Sequence, residues 1–225
     1  MRYSLKLVAV MLFAFMFSSC GNNQQNAGNT QDEQKVENKQ KPERKDKENK
    51  TVLVLSSSPR KGGNSDILCD QFTKGAVEYG HKVEKIYLND MKINFFINDD
   101  YNDMTGSANG EDDVPEIIEK MVSADVIVMA TPVYFYTMCG QMKTMIDRTY
   151  ERYNEIRDKE FYYIITAADQ NEETLQRTVE EFRGFLDCLS NPVERGIIYG
   201  TGVWEKGSVM QSPLMNEAYE MGKGV

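Results

Sequence analysis

A three-layer α/β sandwich, with a five-stranded parallel sheet between two layers of helices, is the fold the sequence predicts, on three observations. Residues 52–55 and 126–130 are unbroken apolar runs of the kind buried on both faces of a parallel sheet. Strand-like segments alternate with amphipathic helical ones throughout residues 51–225, a pattern that calls for helices covering both faces. Those 175 residues are an ordinary size for one domain with a full hydrophobic core.

The elements follow in order. The first strand, residues 52–55, runs into a polar turn, and Asn64 is placed to cap a helix carrying Leu68, Phe72 and Ala76 on one stripe. Residues 82–88 make a short, partly polar strand suited to a sheet edge. Asp113, Pro115 and Glu116 mark a helix start ahead of Ile117, Ile118 and Met121. After the buried strand at 126–130 comes a helix with Met138, Met142, Met145, Ile146 and Thr149 on one stripe. A strand at 161–166 leads to a longer helix bearing Leu175, Val179, Phe182, Leu186 and Leu189. Residues 193–199 supply the fifth strand, and Ser212-Pro213 opens a terminal helix. Right-handed crossovers favour the strand order 2-1-3-4-5, which sets a ligand crevice between the first and third strands.

One lip of that crevice is Ser57-Ser-Pro-Arg-Lys-Gly-Gly-Asn-Ser65. Ser57, Ser58 and Ser65 offer hydroxyl donors, Gly62 and Gly63 let backbone amides approach a ligand, and Arg60 can fork onto an anion at a helix N-terminus. No Gly-x-x-x-x-Gly-Lys-Ser/Thr run exists, and the first turn lacks Gly-x-Gly-x-x-Gly, so a monophosphate fits better than a triphosphate or a dinucleotide. The alternative is a plain turn into a capped helix. The other lip is Thr131-Pro-Val-Tyr-Phe-Tyr-Thr-Met-Cys-Gly140. Here Pro132 stiffens the turn, the amides of Val133, Tyr134 and Phe135 can meet ring nitrogens and carbonyls, and Tyr134, Phe135 and Tyr136 offer stacking faces. An aromatic cluster of this kind also serves as core or dimer contact; beside a phosphate turn it reads as a ring site.

The first fifty residues tell a different story. Arg2 and Lys6 precede the apolar residues 7–17, and Ser18-Ser-Cys-Gly21 follows. Eleven apolar residues span roughly 16 Å as a helix, too short for a hydrocarbon core of about 30 Å, so the stretch reads as an export signal, residues 1–19. The segment around Cys20 resembles the lipobox of bacterial lipoproteins, with Phe17 where Leu is more usual. That implies lipidation of Cys20 and a membrane anchor in the cell envelope, outside the cytoplasm; an ordinary signal peptide that leaves a free cysteine is the alternative. Residues 21–50 hold seven basic and six acidic residues and no aromatic one, too little apolar surface to order themselves. Residues 20–50 are therefore expected to form a disordered tether, with an average reach of roughly 30 Å.

Residues 51–225 contain 17 basic and 29 acidic residues, a net charge of −12, which argues against a nucleic-acid surface and makes Arg60 and Lys61 a local exception. His81, the single histidine, lies in a Gly-His turn and reads as a surface residue, leaving little support for a histidine triad or a zinc site. Cys69 and Cys188 fall within predicted helices and read as buried packing, whereas Cys139 near the ring segment is placed to be exposed.

The two lips, followed by Gln141-Met-Lys-Thr-Met-Ile-Asp-Arg148, resemble the flavodoxin-like NAD(P)H-dependent FMN reductase family, and within it the iron-sulfur flavoproteins and their cluster-free relatives. The resemblance extends to Gly200-Thr-Gly-Val-Trp-Glu-Lys-Gly207 and Asn216-Glu-Ala-Tyr-Glu-Met-Gly222. It implies a flavodoxin-like fold and FMN as cofactor, its phosphate held at Ser58, Arg60, Gly63, Asn64 and Ser65 and its ring lined by Pro132, Val133, Tyr134 and Phe135. It further implies NAD(P)H as donor, a quinone-like or other small acceptor, and a homodimer whose seam lies near residues 143–148. No catalytic side chain is implied, because the flavin carries the chemistry. Where the iron-sulfur branch has its compact cysteine motif, this chain has Phe96, Asp99 and Asn102, so no iron-sulfur cluster is expected. The acidic stretch there is not a calcium loop either, since Asp103 stands where an EF-hand loop needs glycine and Asn109 where it needs glutamate.

Overall fold

The computed structural model describes residues 49–98 and 109–225, all within the unit Asp46–Val225. The expected signal, Cys20 and the expected tether as far as residue 48 lie outside the described residues, as do Asp99, Asn102 and Asp103. Among the described residues, pairing into the fold begins at Lys50. Its carbonyl accepts from Lys82 N–H at 2.9 Å, and its ammonium meets Glu160 at 2.8 Å.

The strands are β1 (Thr51–Ser56), β2 (Lys82–Tyr87), β3 (Val126–Tyr134), β4 (Thr137–Met138), β5 (Glu160–Thr166) and β6 (Val193–Gly200). Five of them form a parallel sheet in the order β2-β1-β3-β5-β6, the expected 2-1-3-4-5 once the two-residue β4 is set aside. β4 pairs antiparallel with the end of β3. The helices are α1 (Asn64–Glu78), α2 (Val114–Ser123), α3 (Gly140–Arg148), α4 (Gln176–Leu186) and α5 (Leu214–Lys223).

Alternation along the central strands divides the core in two. Leu53, Leu55, Ile127, Met129, Tyr163 and Ile165 pack with Ile117, Met142 and Phe182 of α2, α3 and α4. Val52, Val54, Val126, Val128 and Ile164 pack with Leu68, Phe72 and Ala218 of α1 and α5. With both faces covered, the apolar runs of β1, β3 and β5 are buried almost throughout. The edge strands β2 and β6 expose Lys82, Glu84, Glu194 and Arg195, charges that discourage further strand pairing. On the second face α1 and α5 cross backbone to backbone. A Cβ on Gly75 would fall 2.1 Å from Tyr219 O, and one on Gly222 would fall 2.1 Å from Phe72 O.

Several expectations are corrected. β3 does not stop at Ala130; it runs to Tyr134, so Pro132 is a strand residue aligned with Thr166 rather than the stiffener of a turn. His81 is buried, its Nδ1 accepting from Lys50 N–H at 3.2 Å. Among the cysteines, Cys139 is buried and Cys188 exposed, the reverse of the expectation. Cys69 is buried as expected, and burial pushes its thiol up to about 12. No described helix is long and apolar enough to cross a membrane.

Candidate functional site

The turn from β1 into α1 is braced from within. Ser58 Oγ accepts from Arg60 N–H at 3.1 Å and donates to Arg60 O at 3.0 Å. Gly62 has φ +67°, and its N–H donates to Asp66 at 2.8 Å. A Cβ on Gly63 would lie 2.7 Å from Arg60 O and 2.8 Å from Ser58 Oγ, so only glycine lets the turn close. Asp66 is the anchor beneath, taking Ser56 Oγ at 2.7 Å and the Lys85 ammonium at 2.6 Å. Burial alone would push the Asp66 carboxyl up, but Lys85, Ser56 and the Gly62 amide outweigh it and hold it below the ordinary range.

Donor accounting separates braces from open groups. The Ser57 hydroxyl is spent on Ala130 O at 2.7 Å and the Ser58 hydroxyl on Arg60 O. Asn64 does not cap α1; Gly63 occupies that position. The Asn64 side chain instead faces the loop after β6 and is only 3 % exposed. Ser65 is 1 % exposed, and its hydroxyl has no hydrogen-bond partner among the described residues. The first amides of an α-helix have no intrahelical acceptor, so the N–H groups of Asn64 and Ser65 also face the turn unspent by the helix. Arg60 is exposed, reaching Trp204 O at 3.3 Å.

The second lip is a tight hairpin. Val133 pairs with Met138 and Tyr134 with Thr137, leaving Phe135 and Tyr136 as a two-residue loop at φ +53° and +65°. Two positive φ values are what such a loop demands, and Asn-Gly is its usual sequence; Phe-Tyr holds it under strain. Phe135 is fully exposed, while Tyr134 and Tyr136 are partly so. Helix α4 supports the hairpin from behind. The Glu181 carboxylate accepts from Thr137 Oγ1 and, at 2.9 Å, from Met138 N–H, and the Arg177 guanidinium lies 5.6 Å from the Tyr136 ring centroid.

The lips share a root. Ser56 is aligned with Ala130 on the adjacent strand, and Ser57 N–H donates to Ala130 O at 3.0 Å. Cys139 lies below them. Its thiol donates to Ser57 O at 3.1 Å, and its N–H donates to Thr131 Oγ1 at 3.0 Å. A third wall, residues 88–98, carries the exposed Phe95 and lines a 300 Å³ cleft with Gly140, Gln141 and Thr144. It is pinned by the buried Asp112–Arg148 pair, with Arg148 also donating to Asn94 O at 3.0 Å. Burial would raise the Asp112 carboxyl, but Arg148 and the amides of Asn94 and Val114 hold it low. A larger cleft of 620 Å³, between α3 and α4, is lined by Met138, Ile146, Tyr150 and Phe185 and lacks the anion donors of the turn.

A parallel 2-1-3-4-5 sheet, with an anion-ready turn after β1 and an aromatic hairpin after the neighbouring β3, defines the flavodoxin-like class of proteins. Within that class the chain belongs to the NADPH-dependent FMN reductase family, which matches residues 51–194. An iron-sulfur flavoprotein of Methanocaldococcus jannaschii is 36 % identical over 98 residues, 44 % of this chain and 51 % of the relative. The chain spans about half the length of the curated relatives it matches. Among solved structures, the NAD(P)H:quinone oxidoreductase of Methanothermobacter marburgensis superposes with TM-score 0.60 at 20 % identity, covering 79 % of this chain and 97 % of that one. An FMN-dependent NADH-azoreductase of Bacillus anthracis, solved in complex with FMN, gives TM-score 0.58 at 13 % identity, covering 77 % and 98 %. At these identities the structural likeness speaks for the fold.

Proposed function

We propose that the crevice binds FMN and that the chain is an FMN-dependent oxidoreductase passing hydride or electrons from NAD(P)H to a quinone-like or other small acceptor. One observation carries this reading: the anion-ready turn and the aromatic hairpin root on adjacent strands joined at Ser57 and Ala130, so one molecule can touch both. The donors fit a phosphate. Arg60, the Ser65 hydroxyl left without a partner among the described residues and the amides of Asn64 and Ser65 would hold it, while Ser58 and Gly63 keep the turn in shape and the Asn64 side chain ties down the loop after β6. Pro132, Val133, Tyr134 and Phe135 would line the ring, with Tyr134 and Phe135 keeping water from one side of it. FMN, when bound, supplies the hydride- and electron-accepting centre, and no side chain need act as acid, base or nucleophile.

The replacement of cluster cysteines by Phe96, Asp99 and Asn102 supports a cluster-free member of the family. A homodimer through the α3 face suits the apolar cleft beside that helix. Lipidation at Cys20 would anchor the domain to a membrane outside the cytoplasm, away from the cytosolic nicotinamide pool. That sequence feature favours a second reading, a tethered electron carrier reduced by a quinol or a redox protein.

Purified full-length protein should be yellow and release FMN on denaturation. Steady-state NAD(P)H oxidation with a quinone supports the enzyme; a flavin that cycles only with a protein or quinol partner supports the carrier. Arg60→Ala should weaken FMN binding about tenfold, some 1.5 kcal/mol, the low end for a charge-assisted contact because Arg60 is exposed. Colourless protein that stays colourless with added FMN overturns both readings.

A further inference from the structure

We propose that Lys206 is a second cation for the flavin phosphate, delivered to the turn by the loop after β6, and that Asn64 is the positioning residue that holds this loop in place. The inference rests on the FMN reading above. It concerns a part of the chain beyond the family-matched residues 51–194.

The loop between β6 and α5 is tied to the turn mainly by one side chain. Asn64 Nδ2 donates to Val203 O at 3.1 Å and Glu205 O at 2.9 Å, with Ser208 Oγ at 3.4 Å. Its Oδ1 accepts from Gly207 N–H at 3.0 Å and Val209 N–H at 3.3 Å. Both ends of a buried amide are therefore used to shape a surface loop some 140 residues away in sequence. A phosphate ligand would have left that amide facing the turn. The loop also bends through positive φ at Gly202 and Gly207, and Arg60 adds a second tie through Trp204 O.

This clamping brings Lys206 over the turn. Its Cε and Nζ lie 3.3 and 3.5 Å from where a Cβ of Gly62 would stand. The stem of the lysine thus occupies the space a larger residue at Gly62 would need. The neighbouring lysines are already matched with carboxylates, Lys61 with Asp90 and Lys85 with Asp66 and Asp70. Lys206 makes no ion pair among the described residues. An unmatched ammonium over Gly62, in the turn that leads into α1, raises the local potential where the rest of the domain is acidic, and a phosphate dianion would match it. The ligand chemistry is that of a phosphomonoester, so the cation should separate FMN from riboflavin, which shares the ring and lacks the phosphate.

The test measures flavin binding to the full chain by fluorescence quenching, with FMN and riboflavin as probes. Lys206→Met keeps the apolar stem and removes the charge. It should weaken FMN binding about tenfold at low ionic strength, leave riboflavin binding unchanged, and differ less from wild type as salt rises. Asn64→Ala should weaken FMN binding as much or more and speed amide exchange in residues 203–209, a change Lys206→Met should not produce. Wild-type FMN affinity in Lys206→Met overturns the inference and leaves the flavin reading standing. Equal loss of FMN and riboflavin binding also overturns it, because the lysine would then act on the fold or the ring. A wild-type protein that binds no FMN removes the reading on which the inference rests.

Discussion

The turn after β1 and the hairpin after β3 both hold backbone at positive φ, but the turn does so at Gly62 and the hairpin at Phe135 and Tyr136. The turn closes on itself through Ser58, Gly63 and Asp66, which meet the Arg60 backbone and the Gly62 amide within a few residues. The hairpin is braced from outside, by Glu181 and Arg177 of α4, and presents a wholly exposed aromatic ring. A pocket for a small anion needs fixed donors and gains from relaxed geometry. A surface for a flat ring needs side chains in place, and here they are kept at a cost in backbone strain of roughly 1–3 kcal/mol per residue.

The comparison breaks most sharply at Gly63. Its φ of −70° and ψ of 170° suit any residue, so the obstacle to a side chain is contact alone. In Gly63→Ala the new methyl meets the Arg60 carbonyl, which is backbone and cannot swing aside. The turn must open. The expected result is a loss of roughly 1–3 kcal/mol in stability, read by thermal or denaturant unfolding, and of about a hundredfold in FMN affinity by quenching titration, because the phosphate donors shift out of register. Unchanged affinity would mean the phosphate does not sit in this turn.

Relieving the hairpin should do the opposite to stability. Replacing Phe135 and Tyr136 by Asn and Gly gives the loop the residues its geometry favours, and should stabilise the protein by roughly 1–3 kcal/mol, seen as a higher unfolding midpoint. The same change removes an exposed aromatic face, so flavin affinity should fall for FMN and riboflavin alike. A double variant that is more stable and binds flavin as before would show that the strain serves some other contact.

How much of this was legible in the sequence follows the range of the interactions. β1, α1 and the sheet order could be read because apolar runs, a stripe at Leu68, Phe72 and Ala76 and a glycine-bearing turn are local signals. The hairpin could not, since Phe-Tyr carries none of the Asn-Gly signature, and its support comes from Glu181, 43 residues beyond Met138. Asn64 misleads for a related reason. An asparagine ahead of a helix reads as a cap, and only a partner loop some 140 residues later gives it another task. Pro132 suggested a turn because a strand rarely admits proline, yet it lies near the end of β3, where the ladder to β5 runs out. Arg148 and Asp112 likewise meet across 36 residues, and neither local spacing nor charge pattern marks them as the pin of the third wall.

The smallest effect separates the lips by pH. Asp66 holds the turn through Gly62, Ser56 and Lys85, and its carboxyl is held below its usual value of 3.8 despite burial. A depressed carboxyl stabilises the folded state fully above the unfolded pKa, and that stabilisation is lost as pH falls through the lower folded value. The Lys85 ammonium, raised above 10.5 by Asp66 and Asp70 against the opposing effect of burial, gives its share below the unfolded pKa and loses it as pH rises through the folded value. Denaturant unfolding between about pH 5 and pH 3 should therefore show an acid-side loss that Asp66→Asn reduces. Part of the loss should remain in that variant, because Asp112 is depressed as well. The Asn-Gly hairpin variant, which changes no carboxylate, should keep the wild-type slope. If Asp66→Asn leaves the acid limb unaltered, the turn is not held by this carboxylate, and its rigidity must come from Ser58 and Gly63 alone.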